Sequence, residues 1–561
     1  MSGAGAGLDA IALEILFNAL RSIADETYIA LMRSAYSTNI KERHDHSTAI
    51  VDPGGRQVVQ AENALPIHLS SMKGLMEHLL ARYPAASLRE GDLFVANDPH
   101  TAGGSHLPDI NMAMPVFAEG RLVAFMCNVA HHADMGGMAP GSIAGGMSEI
   151  YQEGLRIPVV RLFEGGAPCR DVFDLLLLNA RLPDERRGDY NAQIAACRLG
   201  ARRLGELLDR YPAATLHAAF DELIARTERR LRAAVRAIPD GSYRFADVMD
   251  DDGMGATDIP LALEIRVSGE RIVFDFTGTA AQVAGNINVP LNPTQATVCY
   301  ALKSLLDPAA PNNQGVIDVC EIVAAPGSLV RCRAPAAVAG RANTCQRIAD
   351  MIIGALAEAL PDAATAASNG ANTTAVFSGT DPRTGRGYLY LETLGGGGGA
   401  RRDRDGTDGV QVHTTNTSNL PVEAIETEYP LRVERYELVD DSAGPGRRRG
   451  GQGLRRVVAP VGHDCLFSGQ GERFRHAPFG IFGGGAGRPG RFVLRGAGGE
   501  AVLDTKPAAV PVAAGEAIAI ETPGAGGYGR PRERDGARLA EDRASGKFSA
   551  DYLARHYPPP S

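Results

Sequence analysis

Several common functional signatures are missing from this 561-residue sequence. Its eight cysteines include no Cys-x-x-Cys pair, which argues against a thiolate zinc site and suits free thiols in a reducing compartment. No apolar run reaches the roughly 18 residues that a membrane helix needs. There are only five lysines against 52 arginines, and no Gly-x-x-x-x-Gly-Lys-Ser/Thr phosphate loop is present.

The bulk composition is that of a globular protein, with 44% apolar and 22% charged residues. The net charge of -9 is spread over both signs, so neither nucleic acid nor an anionic membrane surface is an expected partner. The first eight residues do not resemble a secretory signal, and we therefore expect a cytoplasmic protein. A chain of this length predicts two or three structural units rather than one core.

Hydrophobic periodicity predicts a mixed fold, between α/β and α+β. The expected helices cover residues 8–34, 68–82, 183–208, 215–238, 296–306 and 347–360. The expected strands lie within 47–59, joined there by a Pro-Gly-Gly turn, and at 92–96, 122–129, 261–267, 271–276 and 491–495. We divide the chain into an α/β region at 1–240, a mixed middle region at 241–432, a β-rich region at 433–529 and a charged tail at 530–561. Residues 548–556 of the tail are predicted to form a short docking helix.

Histidine is concentrated near the N-terminus, where Ile40 to Gly137 holds eight of the 13 histidines. They are His44, His46, His68, His78, His100, His106, His131 and His132, interleaved with Asp45, Asp98, Asp109 and Asp134. Neutral imidazole and carboxylate are ligands that zinc, manganese and iron accept. The surrounding stretches are rich in glycine and proline, which is typical of loops that carry functional sites.

Within this region, His106, Asp109 and His131 form the strongest candidate site. The first two are three residues apart after Gly103 and Gly104, which let the backbone turn sharply. His131 follows the strand predicted at 122–129. Two nitrogens and one carboxylate would leave open positions for water or substrate on a catalytic metal. The alternative is a group of hydrogen-bonded loop histidines without metal.

Four further residues are candidates around this triad. Neighbours on an extended segment point in opposite directions, so we expect His132 and Asp134 to orient water or transfer its proton rather than bind the ion. His100 and Asp45 could serve as additional ligands or as hydrogen-bond partners of the ligands. For Asp45, a structural ion pair with its neighbours is an equal alternative.

The longest glycine cluster, Gly395 to Gly399, leads into an arginine-rich segment that begins at Arg401. Five consecutive glycines are costly to order. A loop centred on Gly397, followed by Arg401, could close over an anionic substrate group. The simpler alternative is tight turning and close backbone packing.

Six separated blocks of this chain resemble the hydantoinase B/oxoprolinase family. They are residues 39–43 (NIKER), 97–100 (NDPH), 104–109 (GSHLPD), 131–137 (HHADMGG), 149–158 (EIYQEGLRIP) and 414–423 (TTNTSNLPVE). The similarity extends from the opening helix to the segment at 479–484. One departure is that the glycine loop of the family often contains tryptophan, whereas this chain has none.

The resemblance implies a B-type subunit of an ATP-dependent cyclic amidohydrolase, which opens hydantoin- or 5-oxoproline-like rings. ATP would be bound by an A-type partner subunit with an actin-like ATPase fold, in agreement with the missing phosphate loop. In related acetone and acetophenone carboxylases, a His-x-x-Asp pair and a later histidine hold a metal. That pattern falls on His106, Asp109 and His131 and implies one divalent ion, whether zinc, manganese or iron.

Two other functions stay open at this point. The first is the metal-containing subunit of an ATP-dependent ketone carboxylase, because the two branches share these blocks. The second is a scaffold without catalytic activity that only stabilises the ATPase subunit. The complete set of three proposed ligands argues against the scaffold.

Overall fold

A computed structural model describes residues 9–558, and their fold contains both long helices and antiparallel sheets. The helices are α1 (Ala10–Ser34), α2 (Thr38–Lys41), α3 (Leu69–Arg82), α4 (Ile150–Glu153), α5 (Arg170–Leu178), α6 (Pro183–Leu208), α7 (Ala213–Val235), α8 (Leu291–Leu306), α9 (Gln314–Val319), α10 (Arg341–Leu356), α11 (Val422–Glu428), α12 (Gly536–Ala544) and α13 (Ala550–His556).

Strands occur throughout the described chain. They are β1 (His46–Val51), β2 (Gln57–Gln60), β3 (Leu93–Ala96), β4 (Asp109–Ala118), β5 (Arg121–His131), β6 (Val160–Glu164), β7 (Ala167–Pro168), β8 (Gly241–Asp251), β9 (Thr257–Ser268), β10 (Arg271–Asp275), β11 (Cys320–Val323), β12 (Thr374–Thr380), β13 (Gly387–Thr393), β14 (Leu431–Leu438), β15 (Leu454–Pro460), β16 (Cys465–Gln470), β17 (Arg491–Gly496), β18 (Gly499–Val502), β19 (Val510–Val512) and β20 (Ala517–Glu521).

The first sheet has seven strands in the order β2-β1-β5-β4-β3-β6-β7, all paired antiparallel. Apolar side chains of α1 and α6 cover one face of it, and those of α3 cover the other. Because both faces are buried, its central strands are apolar almost without interruption. This sheet brings the ends of β4 and β5 into the interior of the molecule.

The second sheet, β11-β10-β9-β8, is antiparallel except for the parallel pair β10 and β11. It shares the largest apolar core with α7, α8, α9 and α10. A buried ionic cluster fixes α10 at one end of this core. Arg347 Nη2 lies 2.6 Å from Glu472 Oε1 and 3.5 Å from Asp250 Oδ1. Breaking such a buried cluster by removing one partner is strongly destabilising, so the register of α10 is well determined.

The third sheet (β13-β12-β16-β19) and the fourth (β14-β15-β20-β17-β18) are wholly antiparallel and share one core. The third sheet joins β12 and β13, which precede residue 432, to β16 and β19, which follow it. This sheet therefore spans the boundary that we predicted at residue 432, and the four-part division of the chain stays a prediction. In the tail, α13 packs against Ala443, whose carbonyl accepts a hydrogen bond from Tyr552.

The predicted fold class is confirmed, since helices and several separate sheets share the chain. Several elements were not predicted or have other bounds, and two of them contribute to the site described below. Strand β4 was not predicted, and α10 begins six residues earlier than the predicted 347–360 helix. Among residues 9–558, no helix combines the length and the apolar character that crossing a bilayer requires.

Candidate metal centre

Two paired strand ends bring the predicted triad together. Asp109 is the first residue of β4, His131 is the last residue of β5, and the two are direct partners in the antiparallel register. His106 lies in the turn before β4, with its Nε2 3.3 Å from Asp109 Oδ1. One ligand atom from each of the three residues lies within 4.8 Å of the others. The structure therefore brings these three side chains together.

The turn before β4 requires glycine. Gly103 has φ +75°, and a Cβ placed there would lie 2.1 Å from the Gly74 carbonyl carbon in α3. At Gly104 a Cβ would meet the Asn97 carbonyl oxygen, also at 2.1 Å. This close packing directs the following residues, including His106, into the interior.

Buried polar atoms without partners indicate that the triad fits a cation. Both ring nitrogens of His106 and Oδ1 of Asp109 are buried and form no hydrogen bond. Such unsatisfied groups are costly, because they lose water without gaining a replacement. A divalent ion bound to Asp109 Oδ1 and to one His106 ring nitrogen would remove that cost at these two atoms. Two imidazoles and a carboxylate form a donor set that zinc, manganese and iron accept.

Other polar atoms of Asp109 and His131 already have hydrogen-bond partners. Asp109 Oδ2 accepts hydrogen bonds from Ser105 Oγ and from Arg341 Nη2, the latter at 3.0 Å. Its Oδ1 is thereby left for a metal. The Asn39 amide nitrogen lies 2.8 Å from His131 Nδ1 and donates to the His131 carbonyl at 2.7 Å. These contacts fix the orientations of the ligands, as partners of metal ligands commonly do.

The electrostatic surroundings favour the protonation states that bind metal. Burial, with help from Arg341, lowers the pKa of His106 to about 4. Burial also lowers the pKa of His131 well below its ordinary value. For Asp109, burial alone would raise the pKa, but His106, His68 and Arg341 together hold it well below the usual range. At neutral pH the site therefore offers two neutral imidazoles and one carboxylate.

The triad lines a small enclosed cavity, in which the centres of water-sized molecules can occupy about 40 Å³. The N-terminal turn of α10 and three strands of the third sheet also contribute residues to its wall. Other lining residues include Asp45, His68, Arg341, Asn343, Asn372, Thr374, Thr393, Thr415, Thr417 and Gln470. Apolar side chains, among them Leu65, Ile143 and Leu391, complete the lining, so the cavity combines polar groups with apolar walls.

Two further acidic or imidazole groups face this cavity. Asp45 lies there as a near neighbour of the triad, 4.0 Å from Arg43 Nη2, and burial raises its pKa. His68 was not predicted as a site residue. Its Nδ1 lies 2.8 Å from Ser47 Oγ, and its Nε2 lies 3.6 Å from Asp109 Oδ1.

Three predicted residues lie elsewhere. His132 does point away from His131, but its Nε2 pairs with Gln193 Oε1 at 2.9 Å in the core under α6. Asp134 accepts hydrogen bonds from backbone amides and from Arg181 Nη1 at 2.8 Å, which makes it a structural carboxylate. His100 Nε2 lies 3.0 Å from the Ala336 carbonyl oxygen. None of the three lines the cavity, and the catalytic assignment of His132 and Asp134 is corrected accordingly.

The predicted anion loop is also corrected. Gly397 is buried, its amide donates to the Pro523 carbonyl at 3.0 Å, and a Cβ there would lie 2.3 Å from the Gly451 carbonyl oxygen. Arg401 points towards Asp403, with 3.9 Å between Nε and Oδ1. This segment packs backbone against backbone, which was the simpler alternative, and neither residue lines the cavity.

Comparison with known proteins gives a full-length match. The model of the hydantoinase B/oxoprolinase family matches residues 9–531. The chain belongs to this family. It is 31% identical to the caprolactamase subunit beta of Pseudomonas jessenii, covering 98% of this chain and 96% of that one. It is 34% identical to 5-oxoprolinase 1 of Arabidopsis thaliana, covering 93% of this chain but only 42% of that longer protein.

Solved structures agree with the family assignment. A chain of the ATP-dependent caprolactamase from Pseudomonas jessenii superimposes with a TM-score of 0.92 at 29% identity, covering 98% of this chain and 96% of that one. A chain of a nucleotide-free acetone carboxylase gives a TM-score of 0.90 at 17% identity, covering 98% and 79% respectively. At that identity the second likeness is one of fold. The resemblance to this family is therefore confirmed, and the names of these relatives agree with the predicted cyclic amide hydrolase.

Proposed function

We propose that this chain is the B-type subunit of an ATP-dependent cyclic amidohydrolase that opens hydantoin-, 5-oxoproline- or lactam-like rings. One observation carries the proposal. In a chain related over its full length to a caprolactamase subunit, three side chains suited to bind a metal converge on one cavity, with the His106 nitrogens and Asp109 Oδ1 left unpartnered.

ATP is bound by an A-type partner subunit in this proposal. The relatives support a division of the activity between two subunits or two halves of one chain. Caprolactamase has a subunit named beta, and this chain corresponds to less than half of 5-oxoprolinase 1. The chain itself carries no phosphate-loop motif. The partner transfers the γ-phosphoryl group of ATP to the ring carbonyl oxygen, because an unactivated amide carbon is a poor electrophile.

The ring opens when water adds to the activated carbon. In this adduct the carbon–nitrogen bond breaks as the ring nitrogen takes up a proton, which leaves an acyl phosphate. A second water then hydrolyses the acyl phosphate to the carboxylate and inorganic phosphate. His106, Asp109 and His131 would hold one divalent ion, zinc, manganese or iron. When bound, that ion supplies a water of lowered pKa and stabilises developing negative charge. Arg341 and Ser105 keep the Asp109 carboxylate oriented.

The proposal is tested on the purified complex of this chain with its ATPase partner. ATP is supplied with hydantoin, 1-methylhydantoin, 5-oxoproline, caprolactam, acetone or acetophenone, each with and without bicarbonate. Phosphate release and the organic product are followed together. The expected result is ATP-dependent ring opening of at least one cyclic amide, without a requirement for bicarbonate. ATP consumption only with a ketone and bicarbonate would instead identify a carboxylase subunit.

A matched variant separates catalysis from a scaffolding role. His106→Ala removes one ligand, and we expect the bound metal to fall from about one equivalent towards none, as measured by elemental analysis. Turnover of the reconstituted complex should fall by at least about 100-fold, since the ion acts directly on the water. An unchanged rate in a correctly assembled variant complex would favour the scaffold.

A further inference from the structure

Gln470, the last residue of β16, places an unused hydrogen-bond acceptor at the wall of the cavity that the triad also lines. It is 1% exposed, it lines the cavity, and its Oε1 has no hydrogen-bond partner. A buried amide oxygen without a donor is unfavourable, at a cost that a ligand N–H group could remove. This atom is not used by the proposed metal chemistry.

A chain of contacts fixes the orientation of the Gln470 amide. Asn286 Nδ2 donates to the Ala144 carbonyl oxygen at 2.6 Å, so Asn286 Oδ1 is the atom that faces Gln470. Gln470 Nε2 donates to that oxygen at 3.4 Å. Rotating the Gln470 amide by 180° would place two oxygens against each other, and Oε1 therefore keeps its place as the free acceptor.

A second unpaired acceptor lies just before β12, which is the strand that pairs with β16 at Gln470. Thr374 of β12 pairs with Gln470 of β16 on one side and with Thr393 of β13 on the other side. The three residues therefore form one row across the sheet, with Thr374 in the middle. Asn372 lies two residues before Thr374 and also lines the cavity. Its Oδ1 is buried without a partner, and its backbone amide donates to Asn343 Oδ1 at 2.7 Å.

We propose that Gln470 and Asn372 determine substrate specificity by accepting hydrogen bonds from N–H groups of the ring. This inference rests on the proposed function and defines its substrate class: cyclic amides and imides whose ring nitrogen at the cleaved bond is unsubstituted. A methyl group on that nitrogen removes the donor and leaves the acceptors buried and unpaired, which is an effective way to reject a close analogue.

The experiment compares substrate pairs in the complete complex with its ATPase partner. The pairs are hydantoin with 3-methylhydantoin and caprolactam with N-methylcaprolactam. Wild type is expected to prefer the unsubstituted member in kcat/KM. In Gln470→Met, which keeps the length but removes the acceptor, the unsubstituted substrate should lose about 10- to 100-fold in kcat/KM, as for the loss of one buried hydrogen bond. The methylated substrate should change little, so the preference shrinks.

Gln57→Met is the matched control. Gln57 on β2 is equally buried, its Oε1 is also unpartnered, and its Nε2 also donates at 3.4 Å, but it does not line the cavity. This variant should keep the wild-type substrate preference. Bound metal is measured in every variant and should be unchanged, because neither glutamine is a ligand.

The possible outcomes distinguish the two proposals. Absence of ATP-dependent ring opening for every unsubstituted ring in wild type contradicts the proposed function. Ring opening with the same N–H to N-methyl ratio in wild type and Gln470→Met overturns the specificity inference alone. If Gln470→Met does not fold, as judged by circular dichroism, Asn372→Leu is measured with the same pairs, and an unchanged ratio there is equally decisive against the inference.

Discussion

At the scale of single residues, the Asp109 carboxylate depends on a partner that is distant in sequence. Arg341 at the start of α10 donates to Asp109 Oδ2 at 3.0 Å and to Ser105 Oγ at 2.8 Å. Arg341→Met should free the carboxylate to rotate and should lower metal affinity by about 10- to 100-fold, the usual effect of losing such a partner. Competition with a chelator measures this. Arg333→Met, an exposed arginine nearby, should leave the affinity unchanged.

For His132 we predict a loss of stability rather than a loss of metal affinity, because its side chain lies in the core rather than at the cavity. It packs 4.5 Å from the Tyr190 ring and pairs with Gln193. His132→Ala should lower the free energy of unfolding by about 1–3 kcal/mol, through lost packing and an orphaned amide. Denaturant titration checks this loss. The kcat of the folded variant should stay within about threefold of wild type, whereas a large fall in kcat with full metal content would restore a catalytic role.

The grouping of His106, Asp109 and His131 was predictable from the sequence, whereas the surroundings of these residues were not. His106 and Asp109 are three residues apart, and His131 ends a strand whose apolar run is visible in the sequence. Arg341 and Gln470 reach the cavity from distant parts of the chain, and no local pattern marks them. His68 was visible as a histidine, but only the fold shows that its ring faces Asp109.

At the scale of elements, two mispredictions have clear physical causes. Strand β4 is buried along its first eight residues, so its sequence lacks the alternation that identifies a strand with one exposed face. The first turn of α10 contains Arg341, Asn343 and Thr344, which are polar yet buried against the cavity or nearby backbone. A buried polar turn has no amphipathic pattern, and the predicted helix therefore began only at Arg347.

The glycine cluster around Gly397 gives a prediction for backbone packing. Gly397→Ala would push a Cβ to 2.3 Å from the Gly451 carbonyl oxygen and 2.6 Å from the Ala525 amide nitrogen. Because both neighbours are backbone atoms, the free energy of unfolding should fall by at least about 1–3 kcal/mol, a typical overpacking cost. Gly205→Ala, in α6 with nothing within 4 Å of the new Cβ, should instead stabilise by about 0.5–1 kcal/mol. Thermal unfolding of both variants measures the contrast, and equal effects would contradict it.

At the scale of the whole molecule, buried neutral histidines make stability depend on pH. Burial lowers the pKa of His46 to about 3 and those of His106 and His132 to about 4. Their unfolded value is about 6.5, so the unfolded chain binds more protons between roughly pH 4 and 6.5. The free energy of unfolding should therefore be fully retained above about pH 6.5 and should fall as the pH is lowered towards 4. Urea titrations of the metal-free protein should therefore give a lower free energy of unfolding at pH 5 than at pH 7.

One buried carboxyl group has the opposite dependence and links distant parts of the fold. Glu153 of α4 accepts hydrogen bonds from the Val338 and Ala339 amides, both at 2.7 Å, just before α10. Burial raises its pKa to about 8, against an unfolded value of 4.5. Between these values the folded protein binds the extra proton, so this group lowers the free energy of unfolding progressively as the pH rises from 4.5 to 8.

Glu153→Gln should remove that dependence while keeping an acceptor for the two amides. Relative to wild type, the variant should gain up to about 1.4 kcal/mol in the free energy of unfolding for each pH unit within this window. The gain should become constant above about pH 8, where the carboxyl group is ionised in both states. Urea titrations at pH 5, 6, 7, 8 and 9 measure the difference. The exposed Glu90→Gln variant is the control, and its free energy of unfolding should differ from that of wild type by the same amount at every pH. If the difference for Glu153→Gln is also independent of pH, the pKa of Glu153 is not raised in the folded protein.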